Sequence, residues 1–157
     1  MRSLHELMAT HHAAGRVDWI GARPARRAPP VALDDVAIMS DGLEGDHAVP
    51  GKRAVTLIQA EHLPVIAALC GGTVTPEALR RNLAVSGLNL AALKGRAVRV
   101  GEAVLRIEGP CAPCSRMEEA LGPGGYSAVR HHGGWCASVV APGRVSVGDR
   151  LAMEEAP

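Results

Sequence analysis

A mainly β domain, folded as a closed or partly closed β-barrel with a few short helices, is expected from three observations. Short β-rich runs recur along the 157 residues, glycine-containing turns separate them, and every helical pattern is brief. Closing the strands into a barrel is one way to remove their unpaired edges.

Residues 1–14, with Leu4, Glu6, Leu7 and Met8, read as an N-terminal arm or short helix, and residues 15–157 as one domain. Val17-Asp18-Trp19-Ile20 alternates between Gly15 and Gly21, the pattern of a strand. Arg23-Pro24 and Ala28-Pro29-Pro30 mark an exposed turn, and Leu33 to Met39 is a second apolar segment ended by Ser40-Asp41-Gly42. Ala54 to Ile58 has the β-rich content of a third strand.

Leu63, Ile66, Ala67 and Cys70 recur at helical spacing, Pro64 is tolerated in the first turn, and Gly71-Gly72 stops the helix. Thr75 as N-cap with Pro76 behind it starts another, kept short because Asn82 to Val85 looks extended. After a segment holding Leu88, Leu90 and Leu93, Arg96–Val100 and Ala103–Ile107 flank Gly101-Glu102 as a hairpin. Ser115 to Leu121 reads as a helix ended by Gly122-Pro123-Gly124-Gly125. Trp135 to Val140 is β-like, Pro142-Gly143 turns the chain, and Gly148-Asp149 precedes a last strand at Leu151–Met153.

Composition narrows the function. The formal net charge is +1 and aromatic residues are 2% of the chain, which argues against a nucleic-acid surface built from stacking rings and basic grooves. The longest apolar stretch, Val65 to Cys70, is far short of the roughly 20 residues that span a bilayer. Acidic and histidine residues occupy the start of the chain where a signal peptide needs apolar ones, and the four cysteines are too few and uneven for a secreted framework. A cytoplasmic protein without membrane or nucleic-acid partners is the expectation. Lys52 and Lys94 are the only lysines beside 15 arginines, a bias that a GC-rich genome or recognition of anions explains.

The richest cluster for chemistry is Gly109-Pro110-Cys111-Ala112-Pro113-Cys114-Ser115-Arg116, between a strand and a helix start. Cys114 at that start, with Arg116 nearby, favours thiolate over thiol. Such a pair of cysteines can cycle as dithiol and disulfide, hold zinc with His131 or His132 and Cys136, or offer one nucleophilic or metal-ligating thiolate beside an auxiliary Cys111. Two small buried residues at a tight turn is the plain structural reading.

The order of several short motifs resembles the MOSC domain, the family of molybdenum-cofactor sulfurase C-terminal domains. These are Gly42-Leu43-Glu44-Gly45-Asp46-His47, Arg53 to His62, Leu79 to Gly87, Leu93-Lys94-Gly95, Pro113-Cys114-Ser115-Arg116-Met117 and Gly148-Asp149. The resemblance implies a barrel fold and a cysteine, at Cys114, that carries sulfur as a persulfide or ligates molybdenum. It also implies that the Arg80-Arg81-Asn82 segment holds the anionic part of a molybdenum-pterin cofactor, with Arg80, Asn82, Ser115 and Arg116 as cofactor-binding residues. The activities it implies are reduction of N-hydroxylated small molecules or sulfur transfer. The partners would be an electron-transfer protein or a sulfur donor such as a cysteine desulfurase, since the pyridoxal-phosphate domain associated with the family is not found in this sequence.

Other residues read more plainly. Gly45 and Asp46 suit a turn, His131-His132-Gly133-Gly134 a polar loop, Trp19 and Trp135 core or rim rings. Two further readings compete with the cofactor protein. One is a zinc-binding or thiol redox-sensing module that uses Cys111, Cys114, Cys136 and His132 without turnover; the other is a plain barrel that docks a partner through Arg23, Arg26 and Arg27.

Overall fold

The computed structural model describes residues 1–154. In chain order its elements are α1 (Leu4–Met8), β1 (Gly15–Ala22), β2 (Val31–Leu33), β3 (Asp35–Met39), β4 (Gly42–Leu43), β5 (Val55–Gln59), α2 (His62–Cys70), α3 (Pro76–Leu79) and β6 (Leu83–Ser86). A 3-10 turn at Leu90–Leu93 leads to β7 (Ala97–Val100), β8 (Ala103–Pro110), α4 (Ser115–Leu121), α5 (Gly125–Val129), β9 (Trp135–Ala141), β10 (Gly143–Ser146) and β11 (Arg150–Met153).

Seven strands close on themselves in the order β11-β7-β8-β9-β5-β6-β1, with β11 pairing back to β1 and β2 added outside β1. Within this barrel β5 and β6 are parallel, in register Leu57↔Leu83, and the other neighbours are antiparallel. A parallel pair cannot be joined by a tight turn, so the chain between β5 and β6 must cross over. Helices α2 and α3 are that crossover. A second antiparallel sheet, β10-β3-β4, adds Val36, Ile38, Leu43 and Val145 to the core inside the barrel.

Strand alternation separates two apolar clusters. Val17, Ile20, Val55, Leu57, Leu83, Val85, Leu105 and Ile107 point inward. The opposite faces of β5 and β6 offer Ile58 and Ala84 to Ile66, Leu79, Met117 and Val129 of the helices. Each fully buried Leu or Ile contributes about 1.5–3 kcal/mol relative to an exposed one, which makes the helical layer an integral cover of one barrel wall. By contrast α1 buries nothing and is held by a capping box between Ser3 and Glu6.

Most elements lie where the sequence pattern puts them, including the Thr75 cap on α3 and the Gly101-Glu102 hairpin. Two do not. The glycine run reads only as the end of α4, yet a further helix, α5, begins at Gly125. A side chain there would press on Met117 O at 2.7 Å, so glycine is what lets α4 and α5 meet, and the Glu118 carboxylate accepts from the Gly124 and Tyr126 N–H groups. The expected turn lies at Ser40-Asp41 and joins β3 to β4, whereas the single apolar segment expected from Leu33 to Met39 is broken at Asp34, with Leu33 ending β2 and Asp35 opening β3. Among the described residues no helix is long and apolar enough to cross a membrane.

Candidate functional site

The cleft forms where β8, β9 and β5 end near the loop that precedes β5. Pro110 pairs with Trp135, and the Cys111 N–H donates to Gly134 O at 2.8 Å. Gly134 has φ of +100° and lies so close to β5 that a Cβ would fall 2.0 Å from Leu57 O. Only glycine permits that approach. The result is that Cys111 and Cys136, far apart in sequence, bring their Sγ atoms to 3.1 Å, both buried.

These two sulfurs line a cavity of about 400 Å³ together with Arg23, Lys52, Arg53, Arg81 and Glu108. An adjoining hollow of about 340 Å³ shares Arg23 and Arg53 and continues to Arg26, His47 and Arg116. Six cations thus border the cleft. Arg81 is the most deeply set of them, 7% exposed. Its Nε donates to Gly133 O at 2.7 Å and its Nη1 to Leu79 O at 3.0 Å, while the buried Nη2 has no partner within the protein. An unpartnered buried guanidinium donor is costly, and an anion in the cleft would satisfy it.

The electrostatics of the sulfur pair follow. The hydrogen bond from Cys111, then the charges of Arg53 and Arg81, outweigh burial and bring Cys136 down to about 6. The same hydrogen bond, with burial behind it, pushes Cys111 up. Across the 3.1 Å contact the two sulfurs thus favour one shared proton and a single thiolate, held by the other sulfur's S–H and by Arg53 and Arg81.

Arg80 and Arg116, expected to hold an anion, fasten the loop after β1. Arg80 is in a left-handed conformation at the end of α3, φ 57°, and donates to the carbonyls of Ala25, Arg26 and Ala28. Arg116 donates to Arg26 O. Burial lowers the Arg80 pKa, helped by the charges of Arg23 and Arg116 and opposed by Asp46 and Cys114. Asn82 is fully buried: its Oδ1 accepts from the Thr56 N–H and its Nδ2 donates to Gly21 O, tying β5 to β1 behind the cleft.

Cys114 is exposed and stands at the N-cap of α4, within electrostatic reach of Arg80, with Ser115 exposed beside it. The sulfur that meets Cys111 is that of Cys136. The zinc set of Cys111, Cys114, Cys136 and His132 is not assembled: among the described residues no three His, Cys, Asp or Glu side chains gather as a metal site. His132 packs edge-on against His62 instead, ring centroids 5.4 Å apart, and burial with the neighbouring His132 lowers the His62 pKa despite Glu61.

Sequence reasoning assigned no binding role to two of the cleft's cations, Lys52 and Arg53, or to its lining acid, Glu108. Lys52 and Arg53 form a basic pair just before β5, a weak signal for an anion site. Asp46 does lie in a turn, where its N–H donates to Leu43 O, but its fully buried carboxylate also clamps Arg23. Arg26 borders the cleft, while Arg27 belongs to a separate hollow with Arg80 and Arg116.

Among solved structures, the chain is similar to the YuaD protein from Bacillus subtilis, with 20% identity over 88% of this chain and 94% of that one and a TM-score of 0.78. It is also similar to YiiM from Escherichia coli, with 25% identity over 92% of this chain and 71% of that one, TM-score 0.71. YiiM from Geobacillus stearothermophilus shares 19% identity over 90% of this chain and 75% of that one, TM-score 0.75. A search of curated proteins finds no match. Residues 42–152, which carry β4 through most of β11 and every cysteine, match the MOSC domain. By that match, on a closed barrel with the motifs in order, the chain belongs to the MOSC domain family.

Proposed function

We propose that this protein binds a molybdenum-pterin cofactor in the cationic cleft and uses Cys114 as its reactive sulfur. The observation that carries the reading is the buried Arg81 Nη2, left without a partner in a cleft bordered by Lys52 and Arg53. A phosphate fits that donor set, because a guanidinium offers planar paired N–H groups and the neighbouring cations offset its charge. When bound, the group supplies a redox metal for two-electron reduction of an N-hydroxylated small molecule.

The protein's own residues then divide the work. Arg81, Arg53 and Lys52 hold the anionic end. Asn82 keeps β5 and β1 in place behind it, and Arg80 and Arg116 fix the Ala25–Ala28 loop beside it. Cys114, exposed on a loop stiffened by Pro110 and Pro113, would offer the sulfur; Ala112 before it and Arg116 after it line the two parts of the cleft. That exposure favours a second reading, in which Cys114 accepts sulfur from a donor protein and carries it as a persulfide.

Expression in a host that makes the cofactor, followed by metal analysis and pterin fluorescence of the denatured extract, tests the proposal. Molybdenum and pterin should copurify with the protein, and Arg81→Gln should lower pterin retention at least tenfold with the fold intact by circular dichroism. Cys114→Ser should abolish reductase activity toward N-hydroxylated substrates. A protein free of pterin and molybdenum, whose Cys114 also takes up no sulfur from a cysteine desulfurase, would sink both readings.

A further inference from the structure

The Cys111–Cys136 pair is not used by the chemistry above, and its placement is specific. Two buried sulfurs lie 3.1 Å apart, against about 2.05 Å in a disulfide, so roughly 1 Å of approach would bond them. Cys111 directly follows β8 and Cys136 lies on β9, their segments are joined by backbone hydrogen bonds, and both residues line the open cleft, within reach of a small oxidant. Arg53, Arg81 and Lys52 surround them, and Glu108, whose carboxylate accepts from the Ser138 hydroxyl, is the acid among the cleft-lining residues. Such surroundings disfavour a bound cation and favour a thiolate.

We propose that Cys111 and Cys136 form a redox pair that a hydroperoxide oxidises to an intramolecular disulfide. The Cys136 thiolate attacks the terminal peroxide oxygen; the O–O bond breaks, leaving a sulfenic acid on Cys136, and the displaced oxygen takes up a proton as water or alcohol. The Cys111 sulfur then attacks the Cys136 sulfur. An S–S bond forms, the S–O bond breaks, and hydroxide leaves with the Cys111 proton as water. Two electrons pass from the two sulfurs to one peroxide, and a thiol reductant returns them.

The disulfide is neutral where the reduced pair carries a negative charge. Oxidation therefore removes the counter-charge of Arg53 and Arg81 at the floor of the cleft, and the cleft attracts anions more strongly. The pair is an oxidant-responsive site beneath an anion-binding surface. Its chemistry does not depend on whether Cys114 ligates a metal or carries sulfur.

Peroxide treatment of the purified wild-type protein, followed by peptide mapping without reductant, is the test. The expected product has lost two hydrogens, links the Cys111 and Cys136 peptides, and reverts with a thiol reductant. A Cys70→Ser, Cys114→Ser double variant should form the same link, whereas Cys111→Ser should give oxygen adducts on Cys136. Inorganic phosphate, used as the probe, should bind the oxidised protein several-fold more tightly than the reduced one near neutral pH. A link that includes Cys114, or sulfinic and sulfonic products without any link in the wild type, would overturn the redox pair. Equal or weaker phosphate binding after oxidation would overturn its coupling to the cleft. Loss of cofactor binding alone leaves all these results unchanged and separates this inference from the cofactor reading.

Discussion

The carboxylate of Asp46 takes three hydrogen bonds from Arg23: from its N–H at 2.6 Å, its Nε at 3.0 Å and its Nη2 at 2.9 Å. In return, Arg23 O accepts from the His47 N–H at 2.9 Å. This exchange fastens the end of β1 to the segment after β4 and sets one wall of the cleft. The Asp46 side chain is fully buried and that of Arg23 is 15% exposed. Truncating one partner leaves a charge without its mate, which costs about 3–5 kcal/mol. Asp46→Ala should lose about 3 kcal/mol in urea unfolding, at the lower end because Arg23 can turn partly into water. A change within about 0.5 kcal/mol, the range usual for an uninvolved surface site, would show the clamp to be idle.

Asn82 offers a second stability test. Asn82→Ala removes the acceptor of the Thr56 N–H and the donor to Gly21 O, both inside the protein. Each buried group left without a partner costs about 1–3 kcal/mol, so a loss of about 3 kcal/mol is expected by denaturant titration. Pterin retention should fall less than in Arg81→Gln once the variant is folded. An equal fall at equal foldedness would assign Asn82 a direct hold on the cofactor.

Alkylation of Cys136 should follow its thiolate. With Cys136 brought down to about 6, its rate of reaction with iodoacetamide should be nearly level around neutral pH and drop as the pH falls through about 6. The stability consequence has a definite sign. Between about 6 and the ordinary thiol value of 9.0, the unfolded chain holds a proton that native Cys136 has released, so stability rises with pH across that window and is lost as pH falls through about 6. Above 9.0, Cys111, pushed up in the native state, holds a proton that the unfolded thiol releases, and stability declines again. Cys136→Ser should flatten this profile in unfolding titrations; an unchanged profile would contradict the shared proton.

Gly134 is expected to tolerate no side chain. Its positive φ and the 2.0 Å approach of a Cβ to Leu57 O leave Gly134→Ala no space without parting β9 from β5. A loss of about 4 kcal/mol or more, or failure to fold, should be seen by thermal melting. Gly109→Ala, where a Cβ meets nothing within 4 Å, is the matched control and should remain close to wild type.

The strands, the crossover helix and the caps were legible because each rests on near neighbours: alternation in β1, helical spacing in α2, the Thr75-Pro76 start of α3. Helix α5 was not, because Gly125 reads locally as a breaker and serves instead as the contact point with Met117. Cys114 stood out from its own loop, which borders the cleft through Ala112. Arg81 did not, since nothing in Arg80-Arg81-Asn82 tells which guanidinium turns inward. The left-handed turn at Arg80 decides that, sending one arginine to the Ala25–Ala28 loop and the next beneath the cleft.

The sequence by itself determined a mainly β barrel of the MOSC type and a cysteine poised between strand and helix, because periodicity, turn residues and motif order are local properties of the chain. Only the tertiary structure decided that Cys111 faces Cys136, that Asp46 clamps Arg23 and that Arg81 keeps a buried donor free. Those relations join residues from 23 to 52 positions apart, brought together by barrel closure and by the parallel pairing of β5 with β6. The physical reason is that a closed sheet sets its neighbours by register, and register is satisfied only when the whole ring of hydrogen bonds is complete.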